Sequence, residues 1–175
     1  MSCVEDAKSA IRWVRTNAAL PGMNPDRICA TGGSASGHIA YCTGVVPGLD
    51  AADESNLVSS VPNAMVLFNP LAMVTPLDGV NIQERVMKAV AGLSQRMGVD
   101  PVRISPIHHI GKGQPTTVIS HGAADTIMPY VVLEEFTRCS TAAGNDVTLV
   151  WYQGAPHGFF NKRGGTDKCS DDSMQ

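Results

Sequence analysis

The sequence predicts an α/β fold in which parallel strands are joined by crossover helices. Apolar runs of strand length alternate along the chain with segments of helical periodicity. Clusters of turn-forming residues such as "PGMNPD" separate the two kinds of segment. The length of 175 residues is sufficient for one domain with its own hydrophobic core. This alternation is typical of a parallel sheet covered by helices.

The helical segments are amphipathic and have recognisable ends. An S-x-x-E capping box at the N-terminus precedes apolar residues that predict a helix over residues 3–18. Residues 35–44 also have a helical pattern. Residues 78–97 predict either a packed crossover helix or a lid over an acyl pocket. A helix over residues 129–143 has a proline near its start and a glycine after its end.

Four short apolar runs predict the strands. They are RICAT (27–31), which we expect to be buried, NAMVLFN (63–69), PTTVIS (115–120) and DVTLVWY (146–152). Sites in open α/β sheets form at the carboxyl ends of the strands, so the loops after these runs should lie together.

Three of these loops contain residues suited to acyl transfer. Ser34 lies in a tight turn between a strand and a helix, among small residues that let the two elements approach closely. A serine hydroxyl is a poor nucleophile unless a base lies beside it. Asp125 follows the third strand and His157 follows the fourth, so one crevice could hold all three side chains. The N–H of Ala35 and the positive end of its helix would face the same point.

The sequence around these residues resembles that of a known superfamily. "GGSASGHIA" is similar to the "GDSAGGHLA" elbow of α/β-hydrolase esterases and lipases, and "HGAADTIMP" and "GAPHGFFN" resemble the acid and histidine loops of the same proteins. The pieces "NPDRI", "FNP" and "SPIHHI" resemble the acetyl-esterase-like, short-acyl branch. The resemblance covers residues 3–162.

The resemblance implies a role for each candidate residue. Ser34 is the implied nucleophile, His157 the base and then the acid, and Asp125 the group that orients the imidazole. The backbone N–H of Ala35 is the implied oxyanion donor. No metal or organic cofactor is expected for this chemistry, and no nucleotide-binding glycine motif is present.

The chain departs from the superfamily pattern in three places. Position 36 is serine where the elbow motif has glycine, and the chain has no "HGGG"-type motif for a second oxyanion donor. By resemblance, we expect the first strands of the sheet and the last helix to be absent. We therefore expect a partial hydrolase core over residues 1–162 and a loose polar tail over 163–175. We also expect an exposed apolar sheet face, unless the tail, a second copy or another chain covers it.

Two functional hypotheses follow from these observations. The first is a serine ester hydrolase that cleaves small short-acyl esters, with an acylated sugar as one candidate substrate. The second is a truncated or degenerate hydrolase core that folds and associates but turns over little substrate. Short-chain dehydrogenases share the "TGGSASG" pattern only in part, because they have glycines where this chain has Ser36 and His38. They also need a tyrosine followed four residues later by lysine, and no tyrosine here has one.

Composition and charge exclude several other classes. The formal net charge is −3, and the scattered Lys and Arg residues do not predict nucleic-acid binding. No apolar run is long enough to span a membrane. The N-terminus has no signal-peptide pattern, which predicts a cytoplasmic location for this chain, whereas a longer N-terminus carrying a signal would predict export. The five cysteines are expected to be reduced thiols.

The remaining histidines are expected to have structural roles. His38 and His121 should form hydrogen bonds within the elbow helix and the acid loop, respectively. His108 and His109 are expected to be a surface pair. The three positions 108, 109 and 121 do not have the spacing of a recognised metal site, so no bound metal is predicted.

Overall fold

The computed structural model describes residues 2–19, 23–55, 57–78 and 100–161, together with Glu84, Lys88 and Gly92. The described α-helices are α1 (Ser2–Thr16), α2 (Ala35–Val45) and α3 (Tyr130–Ala142). The described strands are β1 (Cys29–Gly33), β2 (Ala64–Phe68), β3 (Thr116–Gly122) and β4 (Val147–Tyr152). Two short 3₁₀ helices, Pro101–Ile104 and Pro106–His109, precede β3. The predicted tail and, apart from isolated positions, the predicted helix over 78–97 lie outside the described residues.

The four strands form one parallel sheet in the order β1-β2-β3-β4. The predicted fold class is confirmed: it is an α/β fold built on a parallel sheet with crossover helices. Gly33, Phe68 and Ser120 are in register, so the carboxyl ends of the first three strands lie together at one end of the sheet. None of the helices that the structure describes is long and apolar enough to cross a membrane.

The two faces of the sheet differ in burial. On one face, Met65, Leu67 and Ile119 are at most 1% exposed, and they belong to the core cluster that includes Tyr41 of α2 and Phe136 of α3. On the other face the alternating residues are more open to solvent, and Val150 is 38% exposed. This agrees with the expectation of an apolar face without full cover, judged on the described residues alone.

The interpretation of the first strand as buried is wrong. The strand begins at Cys29 rather than at residue 27, and both Cys29 and Thr31 are exposed. The physical reason is its position, because β1 is an edge strand of the described sheet and has a neighbour on one side only. An apolar run cannot distinguish an edge strand from a central one.

Helix α1 carries two buried cations that bind the segment after α2. Lys8 is 3% exposed, and its Nζ donates to the carbonyls of Val46, at 3.1 Å, and of Gly48. Arg12 is 7% exposed and forms ion pairs with Asp50 and with Glu54. Burial lowers the pKa of Lys8, and the charge of Asp50 partly opposes that shift. We call these residues of α1 and the segment after α2 the α1 cluster.

Candidate active site

Ser34 lies between β1 and α2 in a backbone conformation that few side chains adopt. Its φ is 55° and its ψ is −120°. A non-glycine residue in such a region costs about 1–3 kcal/mol, so the surrounding structure must hold it there. One restraint is the Ser34 N–H, which donates to the carbonyl of Phe68 at 2.9 Å. The turn leaves Ser34 half-buried at the carboxyl end of the sheet.

The small residues of the elbow are required by close contact between strand and helix. A Cβ on Gly32 would lie 2.5 Å from the carbonyl oxygen of Ser36, and one on Gly37 would lie 3.0 Å from the carbonyl oxygen of Gly32. Position 36 accepts serine because it is exposed, whereas a side chain on Gly32 would overlap the helix backbone and one on Gly37 would be in tight contact. Ala35, the first residue of α2, is exposed beside Ser34.

Three residues from separate loops form a continuous hydrogen-bonded chain. The Ser34 hydroxyl is 2.7 Å from Nε2 of His157. Nδ1 of the same imidazole is 2.8 Å from Oδ2 of Asp125. With the proton on Nδ1, His157 donates to Asp125 and its Nε2 accepts from Ser34, which is the tautomer that a general base requires. We call these three side chains the relay.

Asp125 is held by more hydrogen bonds than the relay alone provides. Its Oδ1 accepts the backbone N–H groups of Ile127 at 2.7 Å and Met128 at 3.1 Å, and its Oδ2 also accepts from Nδ2 of Asn69 at 2.5 Å. Burial by itself would raise the pKa of Asp125, but the hydrogen bonds, chiefly the one from His157, lower it below its ordinary value. The carboxylate is therefore ionised at neutral pH.

The histidine loop packs directly against the end of β3. A Cβ on Gly122 would lie 2.3 Å from the carbonyl oxygen of Ala155, so glycine permits this contact. The Ala124 N–H donates to the same carbonyl at 3.0 Å, and Phe159 is fully buried after the loop. These contacts fix the loop while the side chain of His157 stays 22% exposed. The base is thus positioned by backbone packing and remains accessible.

The other histidines form hydrogen bonds away from the relay hydroxyl. Nε2 of His121 is 2.9 Å from the Met128 carbonyl, and burial lowers the pKa of this histidine, so the neutral ring donates to that carbonyl. Nε2 of His38 lies 3.4 Å from Sγ of Cys42 in the elbow helix, as expected, and 2.7 Å from the Ile104 carbonyl in a 3₁₀ helix.

His108 and His109, predicted to be a surface pair, are both partly exposed. His108 contacts the Ser105 hydroxyl at 2.9 Å, and His109 contacts the Val102 carbonyl at 2.7 Å. Across the part of the chain that the structure describes, no group of three or more His, Cys, Asp or Glu side chains could hold a metal ion. The four described cysteines are free thiols.

The structure therefore brings Ser34, Asp125 and His157 together, with Ala35 next to Ser34. Asn69 also reaches this site, through its contact with Asp125, and sequence reasoning did not select it. The sequence did indicate its location, because Asn69 directly follows β2 and so lies at the same end of the sheet as the other loops. An asparagine in a turn is common, however, and its sequence context does not reveal its partner.

Comparison with known proteins identifies the family to which this site belongs. The BD-FAE family model matches residues 1–138. The chain belongs to the BD-FAE family. Among curated proteins, it is 28% identical over 140 residues to "Probable carboxylic ester hydrolase LipM" of Mycobacterium tuberculosis, covering 71% of this chain and 30% of the relative. It is also 28% identical to "Probable isoprenylcysteine alpha-carbonyl methylesterase ICMEL1" of Arabidopsis thaliana, covering 97% of this chain and 39% of the relative.

Solved structures of esterase 2 from Thermogutta terrifontis share the fold. The form phosphonylated by sarin has a TM-score of 0.87 and 42% identity, and the match covers 98% of this chain and 62% of that chain. The propionate-bound form has a TM-score of 0.84 at 42% identity, over 98% of this chain and 61% of that chain. The resemblance to α/β-hydrolase esterases is thereby confirmed. The chain spans about 60% of the length of these solved esterase chains and 30–39% of the two curated relatives described above.

Proposed function

We propose that this chain acts as a serine hydrolase on small carboxylic esters with short acyl groups. The observation that carries the proposal is the relay, in which Ser34 Oγ lies 2.7 Å from His157 Nε2 and His157 Nδ1 lies 2.8 Å from Asp125 Oδ2. The family relationship supports it, since the relatives and solved neighbours are named as ester hydrolases. One solved form of esterase 2 binds propionate, a short carboxylic acid, and this supports the short-acyl preference.

The geometry supports a two-step reaction. Oγ of Ser34 attacks the ester carbonyl while His157 Nε2 takes its proton, which gives a tetrahedral oxyanion next to the Ala35 N–H. The intermediate collapses, His157 returns the proton to the leaving alcohol, and the acyl group remains on Ser34. Water then attacks the acyl-enzyme while it loses a proton to His157. As the bond between the acyl carbon and Ser34 Oγ breaks, His157 returns that proton to Oγ and the acid is released. Asp125 keeps the imidazole in the Nδ1–H tautomer and stabilises its charged form.

The number of hydrogen-bond donors to the oxyanion determines the expected rate of turnover. Ala35, at the positive end of α2, is the proposed donor. Removal of one oxyanion donor typically lowers the rate by about 10²- to 10³-fold. We therefore expect slow turnover if Ala35 acts alone, and faster turnover if a second donor joins it.

Labelling with a fluorophosphonate tests the proposal directly. The parent chain should be labelled and should hydrolyse p-nitrophenyl acetate faster than p-nitrophenyl octanoate, whereas Ser34→Ala should do neither. Thr31→Ala is the matched control, because it removes a hydroxyl three residues before the elbow without touching the relay. Equal turnover by the parent and Ser34→Ala would refute the assignment. Release of acetate from acetylated xylose in the same assay would extend the substrate class to acylated sugars.

A second candidate role is a folded core that associates with a second copy and turns over little substrate. The open face of the sheet, where Val150 is 38% exposed, favours this role. Light scattering should then report a dimer that Val150→Asp converts to a monomer, together with absence of fluorophosphonate label on the folded parent. A labelled monomer would exclude this alternative.

A further inference from the structure

Asn69 occupies a strained position at the carboxyl end of β2. Its φ is 42°, in the left-handed region, and the residue is fully buried. Its N–H donates to the carbonyl of Ser120 at 2.9 Å, while the preceding carbonyl, of Phe68, accepts the Ser34 N–H at 2.9 Å. The end of β2 is therefore bonded on one side to the turn that carries Ser34 and on the other to the strand that leads to Asp125.

The side chain of Asn69 extends from this position to the relay. Its Nδ2 donates to Oδ2 of Asp125 at 2.5 Å. That oxygen is also the one that accepts from His157 Nδ1, at 2.8 Å. His121 lies nearby, with its Nε2 3.7 Å from the same oxygen, but its N–H is directed to the Met128 carbonyl. Among the described contacts, Asn69 and His157 are the two groups hydrogen-bonded to Oδ2.

We propose that Asn69 is a positioning residue for ester hydrolysis, whose amide holds the Asp125 carboxylate in the orientation that fixes the His157 imidazole. The inference rests on the proposed function. Two backbone N–H groups anchor Oδ1, so the carboxylate can still turn about that anchor unless Oδ2 is fixed as well. The amide of Asn69 supplies the second anchor. Because an amide does not ionise, it donates to Oδ2 throughout the pH range in which the relay works.

A purely conformational role for Asn69 makes a different prediction. Asparagine adopts the left-handed region more readily than most residues, so the backbone alone could account for its presence. Glycine adopts that region with less strain still. If Asn69 served only the turn, Asn69→Gly would be as active as the parent. If its amide positions Asp125, Asn69→Gly should lower kcat by about 10- to 100-fold, the usual effect of losing a hydrogen bond to a charged group, and should change KM by less than about 2-fold.

Asn69→Asp provides a second test that keeps the shape of the side chain. It puts a second carboxylate against Asp125 Oδ2, beside His157 and His121, which are the titratable groups that face this position among the described residues. Two buried carboxylates this close share one proton, because both cannot be ionised together. Loss of that proton at higher pH favours the imidazolium, so the kcat/KM profile should gain a second ionisation on its acid side that the parent lacks. Asn24→Asp is the matched control. Asn24 is an exposed turn residue at the opposite end of β1, and its side-chain oxygen accepts from the Asp26 N–H, a bond that aspartate preserves.

A measurement that does not need turnover separates this inference from the proposed function. The imidazole of His157 can be titrated by NMR and assigned by comparison with His157→Gln. In Asn69→Asp the His157 titration should gain a second step at higher pH, coupled to the shared proton, and in Asn24→Asp its midpoint should stay within about 0.2 units of the parent. If the parent shows no Ser34-dependent turnover, the esterase assignment fails, and this titration still decides whether Asn69 acts on the relay. A fully active Asn69→Gly, together with a single-step His157 titration in Asn69→Asp, would overturn the inference.

Discussion

The relay and the α1 cluster both bury charged groups, but they leave different atoms accessible. In the α1 cluster, Lys8 and Arg12 direct their charges inward to carbonyls and carboxylates of the segment after α2. In the relay, the Asp125 side chain has no exposure, whereas that of His157 is 22% exposed and Ser34 is half-buried. Both satisfy a buried charge by hydrogen bonding.

The difference shows that hydrogen bonding of a buried charge can stabilise the fold at one site and support a reaction at another. The α1 cluster joins two segments and presents no reactive atom. The relay buries its charge and leaves its imidazole and hydroxyl partly exposed, so the electrostatic effect of Asp125 is transmitted to an atom that a substrate can reach. Changes in the relay should therefore alter activity more than stability, and changes in the α1 cluster should do the reverse.

The largest expected effect comes from removing the charge of the relay. Asp125→Asn should lower kcat/KM for p-nitrophenyl acetate by about 10³- to 10⁴-fold, because an amide at this position favours the wrong tautomer of His157. Asp146→Asn, at an exposed position, provides a matched control. If Asp125→Asn kept more than about a tenth of the parent activity, the relay would not carry the reaction.

A steric change should displace the relay without altering its charges. Gly122→Ala places a methyl group against the carbonyl of Ala155, two residues before His157, and a displacement of about 1 Å in a catalytic group can cost about 10²-fold in rate. Gly111→Ala is the control, since a Cβ there meets nothing within 4 Å. Steady-state kinetics and circular dichroism on both variants separate lost geometry from lost fold. Normal kcat in Gly122→Ala would mean that the histidine loop tolerates displacement.

The α1 cluster should respond in stability instead. Lys8→Met keeps the length of the side chain but leaves the carbonyls of Val46 and Gly48 without this donor, which should lower the free energy of unfolding by about 1–3 kcal/mol. Urea denaturation measures the change, with Lys112→Met at an exposed position as the control. The kcat of Lys8→Met should match that of the parent. A drop in the kcat of Lys8→Met with an unchanged free energy of unfolding would contradict the assignment of the α1 cluster to stability.

The smallest effect concerns the pH dependence of stability, where both clusters contribute with the same sign. For Asp50, as for Asp125, burial by itself would raise the pKa, but hydrogen bonds and neighbouring groups, here Arg12 and Lys8, lower it. A carboxyl with a lowered pKa in the folded state stabilises the fold above its unfolded pKa of about 3.9, and that contribution is lost as the pH falls through the folded value. The free energy of unfolding should therefore decrease from about pH 5 to about pH 3.

Asp50→Asn and Asp125→Asn should each make this decrease shallower. Urea denaturation at a series of pH values measures the slope for each variant. Curves parallel to that of the parent would show that the two carboxyls do not set the acid limit of stability.

The sequence by itself determined the local features of this protein. Alternating apolar runs and helical patterns predicted each described strand and α-helix to within about two residues, because these patterns reflect short-range backbone preferences. The two short 3₁₀ helices were not predicted. The order of Ser34, Asp125 and His157, each after its own strand, was sufficient to predict that they would meet. In a parallel sheet the loops that follow the strands lie together at the carboxyl ends, however the side chains pack.

Only the tertiary structure decided which residues are partners across the chain. The exposure of β1 depends on its place at the edge of the sheet, and the contact of Lys8 with the carbonyl of Val46 joins residues 38 positions apart. The contact between Asn69 and Asp125 joins residues 56 positions apart. These contacts depend on strand order and on the close approach of separate segments, which leave no periodic signal in the sequence. The residue that we propose to position the relay therefore became visible only once the chain was folded.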